Sequence, residues 1–300
     1  MNQTVGFIGL GVLGSAMAGN LLKSGFQVVG RDINPEKEAT LKQQRGDIAA
    51  SPREVSQRSD VVILCLPTVD ALHTVVGGKD GLTEGGPEGQ IILETSTFSI
   101  ADKEKARDAL MAVGKTLLDC PVTGNRIMAL KKRLTAFGSS ERSAYDAVEH
   151  VIKGFAHRTF YVGDFGCGMR MKFCANILNL VHNSAAAEVM VLGMKSGLDP
   201  ELIHQVISGS GSSSCMFEVR GALMVKGDYE KEGMNFSIPL KDAGLIAAHA
   251  AEHLCPIPIY QAALQPYYAA VAQGHGHEDP SAVCAAMERA ANFQRKSKSD

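Results

Sequence analysis

The first half of the chain alternates short apolar runs with longer segments whose apolar residues recur at helical spacing. Strands are predicted at Val5–Ile8, Phe26–Val29, Val61–Leu66 and Ile91–Leu93, with weaker ones at Thr116–Leu118 and Leu134–Phe137, and helices at Leu13–Lys23 and Pro35–Gln44. The stronger strands are continuously apolar, as in a parallel sheet covered on both faces. This alternation predicts an α/β fold, a doubly wound parallel sheet with right-handed crossovers.

The pattern changes near Gly163–Gly168, and no convincing strand follows Met169. Helices are predicted at Met171–Lys195, Pro200–Ile207, Pro239–Glu252, Ile259–Ala272 and Ser281–Phe293. The chain is therefore expected to form a sheet domain over residues 1–165 and an all-helical domain over residues 166–300. Ser208–Ser214 has the composition of a flexible linker, but among helices we interpret it as a helix break over the expected cleft.

Composition excludes several classes of function. The 300 residues carry 30 basic and 32 acidic side chains, a net charge of -2, which gives no electrostatic reason to expect nucleic acid or a membrane surface as a partner. Seven scattered cysteines without a CxxC pair suggest reduced thiols. We see neither a signal peptide nor an uninterrupted apolar run of roughly 18 residues. The expectation is a cytoplasmic protein.

A glycine-rich turn connects the first strand to the first helix. Gly9 permits the tight turn, Gly11 leaves room for a pyrophosphate, and Gly14 lets helix and strand pack closely. The helix N-terminus supplies N–H groups and a positive dipole end for the phosphates. Asp32, at the end of the second strand, can bind a ribose hydroxyl and repel a 2′-phosphate, which favours NAD. Arg31 could tolerate that phosphate, so NADP is not excluded.

Five segments together resemble the β-hydroxyacid dehydrogenase family over roughly residues 4–290. They are Gly9–Gly14, Leu66–Pro67 with Thr95–Thr97, Asp119–Gly124, Gly166–Asn176, and Lys241–Asp242 followed by Pro256 and Pro258. Their order and spacing make the resemblance specific, whereas each motif alone is not. Three further stretches are most similar to threonate dehydrogenase-like members: Val29–Pro35, Met216–Phe217 and Gly227–Tyr229.

The resemblance implies an oxidoreductase with a Rossmann-type domain followed by a helical domain like that of 6-phosphogluconate dehydrogenases, assembled as a homodimer or homotetramer. It assigns the cofactor to Gly9, Gly11, Val12, Leu13, Gly14, Asp32, Leu66, Pro67, Thr97 and Lys241. It assigns the substrate to Thr123, Gly124, Asn125 and Lys241, and catalysis to Lys172 and Asn176. Asp242 is expected to position Lys241, although a surface salt bridge is the alternative.

Lys172 and Asn176 stand at positions i and i+4 of the long predicted helix and share one face. That helix begins at the expected domain junction, where a substrate cleft is predicted. An ammonium can protonate a carbonyl oxygen in reduction, and a free amine can accept a hydroxyl proton in oxidation. Asn176 can hold the substrate oxygen or orient the lysine. Without the resemblance, a solvated helix face would be the better interpretation of this pair.

The substrate loop departs from the family's pattern. Asn125 replaces a glycine, and Lys132-Arg133 stand where Gly-Thr is usual. The added amide suits a polyhydroxylated acid, so we expect a C4 sugar acid such as threonate; a 3-hydroxyisobutyrate or tartronate semialdehyde enzyme is the alternative. Lys131, Lys132 and Arg133 could bind a second anion, but a solvated basic turn is the simpler interpretation.

Other classes of function are less well supported. Non-catalytic cofactor-binding relatives and imine reductases usually lack the catalytic lysine, which is present here as Lys172. His249-Ala-Ala-Glu-His253 matches a metalloprotease pattern, and the histidines near Gly274 could also suggest ligands. Neither pair has a third ligand nearby in the sequence. We therefore expect no metal.

Overall fold

The computed structural model describes residues 3–229 and 234–295. The chain divides into two compact units, Met1–Lys172 and Phe173–Asp300. Each unit is described below on its own.

The first unit is built on a six-stranded parallel sheet. Its strands are β1 (Thr4–Ile8), β2 (Gln27–Arg31), β3 (Asp47–Ile48), β4 (Val61–Leu64), β5 (Ile91–Glu94) and β6 (Thr116–Asp119), in the spatial order β3-β2-β1-β4-β5-β6. The connecting helices are α1 (Val12–Lys23), α2 (Pro35–Gln43), α3 (Pro52–Gln57), α4 (Val69–Gly77) and α5 (Ile100–Met111). Strand order reverses between β1 and β4, so the predicted doubly wound sheet is confirmed.

A second, smaller sheet completes this unit. It contains β7 (Val122–Thr123), β8 (Thr135–Gly138) and β9 (Arg158–Tyr161), with β7 antiparallel and β9 parallel to β8. Helices α6 (Arg126–Leu130) and α7 (Arg142–Phe155) connect these strands. Sequence analysis did not predict β3, β7 or β9. Two of them have only two residues, and β9 is partly exposed and lacks an apolar run.

The second unit contains helices and no strand within its described residues, as predicted. The long helix α8 (Cys167–Lys195) leads into it, and α9 (Pro200–Ile207), α10 (Cys215–Lys226), α11 (Ser237–Glu252), α12 (Pro258–Ala272) and α13 (Val283–Ala290) follow. Helix α10 was missed, although it carries both end signals: Ser214 accepts a hydrogen bond at its N-terminus, and Gly227 ends it in a left-handed conformation. The serine-rich segment is thus a short break between α9 and α10.

Helix α8 is long and apolar enough to cross a membrane by length and composition alone. Its best 18-residue window has a mean hydropathy of 1.3, although sequence analysis found no uninterrupted apolar run of that length. Half of this window is buried inside the protein. Its polar Asn183 is fully buried and donates to the Tyr267 hydroxyl and the Pro280 carbonyl. These features are those of a helix in the core of the second unit.

The first turn of α8 belongs by its contacts to the first unit, whose limit at Lys172 lies seven residues beyond the boundary expected from sequence. The N–H groups of Gly168 and Met169 donate to side chains at the ends of β6 and β8. One continuous helix therefore begins in the sheet unit and continues into the helical unit.

Candidate active site

The glycine turn after β1 has the backbone that its sequence predicts. Gly9 has a φ of +93°, and a Cβ there would overlap the Cys65 carbonyl oxygen; a Cβ on Gly14 would overlap the Gly9 carbonyl oxygen. Packing within the chain therefore requires both glycines. A Cβ on Gly11 would meet no atom within 4 Å. Gly11 precedes α1 without any side-chain cap, so the N-terminus of this helix is available to an anion.

The loops expected at the cofactor lie at one edge of the sheet. The turn Gly9–Gly14 follows β1, Leu66 and Pro67 follow β4, and Thr97 follows β5. Strands β1 and β4 are neighbours, paired through Ile8 and Leu64, and strand order reverses between them. In doubly wound sheets, ligands bind outside the carboxyl ends of the strands at this reversal. The Leu66 N–H donates to Ser96 Oγ at 2.8 Å, which ties the last two loops together.

The carboxylate of Asp32 is held beside the glycine turn. Its Oδ2 accepts the Leu10 N–H at 2.6 Å, and its Oδ1 accepts the Asn34 N–H at 2.8 Å. The Arg31 guanidinium that complicated the sequence prediction is paired with Glu38 at 2.6 Å and also donates to the Asp32 carbonyl. The negative charge at the turn is therefore fixed in place, whereas the neighbouring positive charge is neutralised.

The amine of Lys172 reaches the predicted substrate loop within the first unit. Lys172 is 8% exposed, and its Nζ donates to the Val122 carbonyl oxygen at 2.8 Å. Thr123 and Gly124 follow directly, and Gly124 has a φ of +133° that disfavours a side chain. Asn125 caps α6 by accepting the Met128 N–H, so its amide nitrogen is the atom it can offer to a ligand. Two groups of residues predicted separately are thus brought together.

Sequence reasoning missed three buried residues that contact this part of the first unit: Lys103, Glu94 and Ser139. Lys103 forms ion pairs with Glu94 at 2.6 Å and with Asp119 at 2.7 Å, and at most 1% of any of these side chains is exposed. Ser139, also buried, donates to Asp119 and accepts the Gly168 N–H. A lysine in an otherwise polar helix and a serine after a strand gave no signal in the sequence, because their partners lie far away along the chain.

Asn176, one helical turn beyond Lys172, is held within the second unit. Its amide Nδ2 donates to Asp242 Oδ2 at 2.8 Å. The other oxygen of this buried carboxylate lies 3.3 Å from Lys241 Nζ. Helix α11 begins at Ser237, two residues before its predicted start at Pro239, so Lys241 and Asp242 lie one turn inside it. Asp242 contacts Asn176 as well as the lysine it was expected to position.

The basic segment of residues 131–133 is tied to α1 by a hydrogen bond. Lys132 Nζ donates to Ser24 Oγ, which lies at the C-terminal end of α1, while Lys131 and Arg133 are exposed. At 1.5 Å per residue, that end is about 18 Å from the N-terminus of the helix and its glycine turn. This position favours the interpretation as a basic turn over an anion contact for the substrate.

The HxxEH pattern lies at the end of α11. Ligand atoms of His249, Glu252 and His253 are within 4.8 Å of one another, with Glu252 and His253 exposed. Residues three and four positions apart on a helix necessarily share a face. We assign no function to this group.

The two halves of the chain match two family models. Residues 4–163 match the NAD-binding domain of 6-phosphogluconate dehydrogenase, and residues 166–287 match the NAD-binding region of NADP-dependent 3-hydroxyisobutyrate dehydrogenase. A nicotinamide cofactor is thereby supported, without a choice between its two forms.

Individual relatives resemble nearly the whole chain. An L-threonate dehydrogenase of Cupriavidus necator is 33% identical over 94% of this chain and 95% of its own, and a 2-(hydroxymethyl)glutarate dehydrogenase of Eubacterium barkeri is 29% identical over 95% of both. A crystal structure of 3-hydroxyisobutyrate dehydrogenase from Salmonella typhimurium has a TM-score of 0.85 at 30% identity, covering 95% of this chain and 99% of that one.

The glycine turn generates a paired prediction. Gly14→Ala should lower the free energy of unfolding by about 1–3 kcal/mol, because its methyl group would overlap backbone. Gly11→Ala should cost less than about 1 kcal/mol, yet it should weaken nicotinamide cofactor binding at least tenfold. Urea denaturation and fluorescence titration measure the two effects. Unchanged cofactor binding in Gly11→Ala would show that the phosphates do not approach this residue.

Proposed function

This chain belongs to the β-hydroxyacid dehydrogenase family, and on that basis we propose that it oxidises a C4 sugar acid such as L-threonate, with NAD as hydride acceptor. The coarser activity follows directly from the family: the protein is a nicotinamide-dependent dehydrogenase of small hydroxyacids. The observation that carries the catalytic part of the proposal is the hydrogen bond between Lys172 Nζ and the Val122 carbonyl, because it brings the amine to the substrate loop.

Lys172 is the proton-transferring group of the proposed site. A bound nicotinamide supplies the hydride acceptor in oxidation and the hydride donor in reduction. The amine of Lys172 takes the hydroxyl proton in oxidation, and its ammonium returns it in reduction. The Val122 carbonyl holds Nζ at the substrate loop, next to Thr123 and Gly124 in the chain. The side chain therefore does not have to be ordered from a solvent-exposed conformation when the substrate binds. The family resemblance assigns the substrate oxygen to Asn176, whose amide donates to Asp242.

The substrate loop supports a polyhydroxylated acid. The Asn125 amide nitrogen is a hydrogen-bonding group that the family's usual glycine lacks, and together with the Thr123 hydroxyl it would be satisfied by a substrate with several hydroxyls. Relatives named L-threonate dehydrogenase support this choice, while those named 3-hydroxyisobutyrate dehydrogenase keep that substrate as the alternative. Since Lys132 is engaged with Ser24, the proposal favours a plain acid over a phosphorylated one.

Asp32 supports NAD as the cofactor form. Its two carboxylate oxygens each accept one backbone N–H, which leaves further lone pairs for ribose hydroxyls. A 2′-phosphate would meet this carboxylate, while Glu38 already compensates Arg31. The family model matched by the second half is named for an NADP-dependent enzyme. The preference for NAD therefore depends on the charge of Asp32 and on the pairing of Arg31 with Glu38.

Helix α8 supports self-association. Leu178, Val189 and Leu192 are 55%, 40% and 71% exposed, and their spacing places them on one face. A stripe of exposed apolar side chains is typical of a surface that a second copy covers. The proposal is therefore a homodimer or homotetramer packed through α8. All seven cysteines are free thiols, as suits a cytoplasmic enzyme.

The first test combines substrate and catalytic residue. Among C3 to C6 hydroxyacids with NAD, we expect the highest kcat/KM for L-threonate, measured by absorbance of the reduced nicotinamide. Lys172→Met should lower kcat about 100- to 10,000-fold, because the proton acceptor is lost. Its Kd for NAD should remain unchanged. Lys195→Met, at the other end of α8, is the control. Turnover of Lys172→Met within tenfold of the parent would refute the assignment.

The cofactor preference is tested by removing one charge. The parent should have a higher kcat/KM with NAD than with NADP. Asp32→Asn retains an acceptor for the Leu10 N–H but removes the repulsion, so the NAD:NADP ratio should fall at least tenfold. Adding Glu38→Gln should lower it further by releasing Arg31. Asp47→Asn, on neighbouring β3, is the matched control. An unchanged NAD:NADP ratio of kcat/KM in the double variant would show that neither Asp32 nor Glu38 determines the cofactor preference.

The association surface is tested by introducing charge. Leu178→Glu combined with Leu192→Glu should convert the assembly to monomers, because burying unpaired carboxylates is costly. Light scattering coupled to gel filtration measures the mass. Val206→Glu, at another exposed apolar position on α9, should leave the mass unchanged. A parent that is monomeric, or a double variant with the parent's mass, would exclude this surface.

A further inference from the structure

We propose that Asp119 and Ser139 are positioning residues for Lys172: their buried side chains bind the first turn of α8 and thereby set where the amine lies. This inference rests on the proposed role of Lys172. The hydrogen bonds that carry the inference run from these two side chains to backbone N–H groups of the helix.

The contact is a cap supplied from outside the helix. Ser139 Oγ accepts the Gly168 N–H at 2.8 Å, and Asp119 Oδ2 accepts the Met169 N–H at 2.9 Å. Early N–H groups of a helix have no partner inside it, and negative charge is favourable at that end. A Cβ on Gly168 would lie 2.6 Å from the Phe137 carbonyl oxygen and 2.8 Å from that of Asp119. The helix therefore begins in close contact with β6 and β8.

The cap belongs to a buried charge cluster. Asp119 Oδ1 pairs with Lys103, and Lys103 pairs with Glu94. Both carboxylates are fully buried, so displacing either one would leave an unpaired charge away from water. Glu94 Oε1 also accepts the Ser96 N–H at 2.9 Å. The same cluster thus holds the start of α8 and the loop after β5 that is expected at the cofactor.

Both atoms of the Lys172 hydrogen bond depend on this cluster. The donor lies three residues after Met169, less than one helical turn away. The acceptor, Val122, lies three residues after Asp119. A displacement of the first turn would move the amine relative to the substrate loop, and about 1 Å of misplacement can lower a rate roughly 100-fold.

Ser139→Ala is the most conservative test, since it removes one hydroxyl from a buried site. We expect kcat to fall about tenfold or more while the Kd for NAD stays within twofold of the parent. Hydrogen exchange of the segment 166–172 should become faster, because the Gly168 N–H loses its acceptor. The matched control is Ser59→Ala: Ser59 is also buried in the first unit, and its hydroxyl donates only to the Val55 carbonyl. The control should lose comparable stability without loss of kcat.

A second variant keeps the inference testable if the first is poorly folded. Asp119→Asn preserves an oxygen for the Met169 N–H but breaks the pairing with Lys103, and it too should lower kcat without weakening NAD binding. If Ser139→Ala and Asp119→Asn both match Ser59→Ala in kcat and in hydrogen exchange, the inference fails. If Lys172→Met remains active, the proposed function fails instead, whatever Ser139 does.

Discussion

An ionised carboxylate without access to water has to be compensated in full, and the Asp119 side chain illustrates how strongly this constrains its surroundings. One oxygen is paired with Lys103; the other accepts from the Ser139 hydroxyl and the Met169 N–H. The Asp119 carboxylate therefore connects the ends of β6 and β8 to the start of α8. If any of these segments moved, a buried charge would lose one of its partners. The position of Lys172 depends on that arrangement.

The Asp32 carboxylate, unlike that of Asp119, keeps an uncompensated charge. It is only partly buried, and both of its oxygens are bound by backbone N–H groups, which fix its direction but do not cancel its charge. The adjacent Arg31 is compensated by Glu38 rather than by Asp32. The Asp119 carboxylate is thus fully engaged by contacts within the protein, whereas the Asp32 carboxylate remains available to a ligand. The difference is that Asp119 is paired with the Lys103 ammonium, whereas Asp32 accepts hydrogen bonds only from backbone N–H groups.

Helix α8 combines several roles because its faces are separated by the 3.6-residue period. Its first turn is bound by Asp119 and Ser139, and Lys172 and Asn176 share the next face along it. Asn183, seven residues beyond Asn176, lies on the same side of the helix two turns further along and is buried among the helices of the second unit. The exposed apolar stripe that includes Leu192 lies on the opposite side of the helix.

Local sequence was sufficient for much of this protein. The alternating elements, the glycine turn and the motif around Lys172 were all predictable, because apolar periodicity and backbone requirements are encoded by neighbouring residues. The family resemblance supplied the class of enzyme. Only the tertiary structure revealed how Lys103, Glu94 and Ser139 surround Asp119, and that Glu38 neutralises Arg31 and Ser24 engages Lys132. Most of these partners lie 16 to 108 residues apart in the chain, and no local pattern encodes which distant charge or hydroxyl folding will bring into contact.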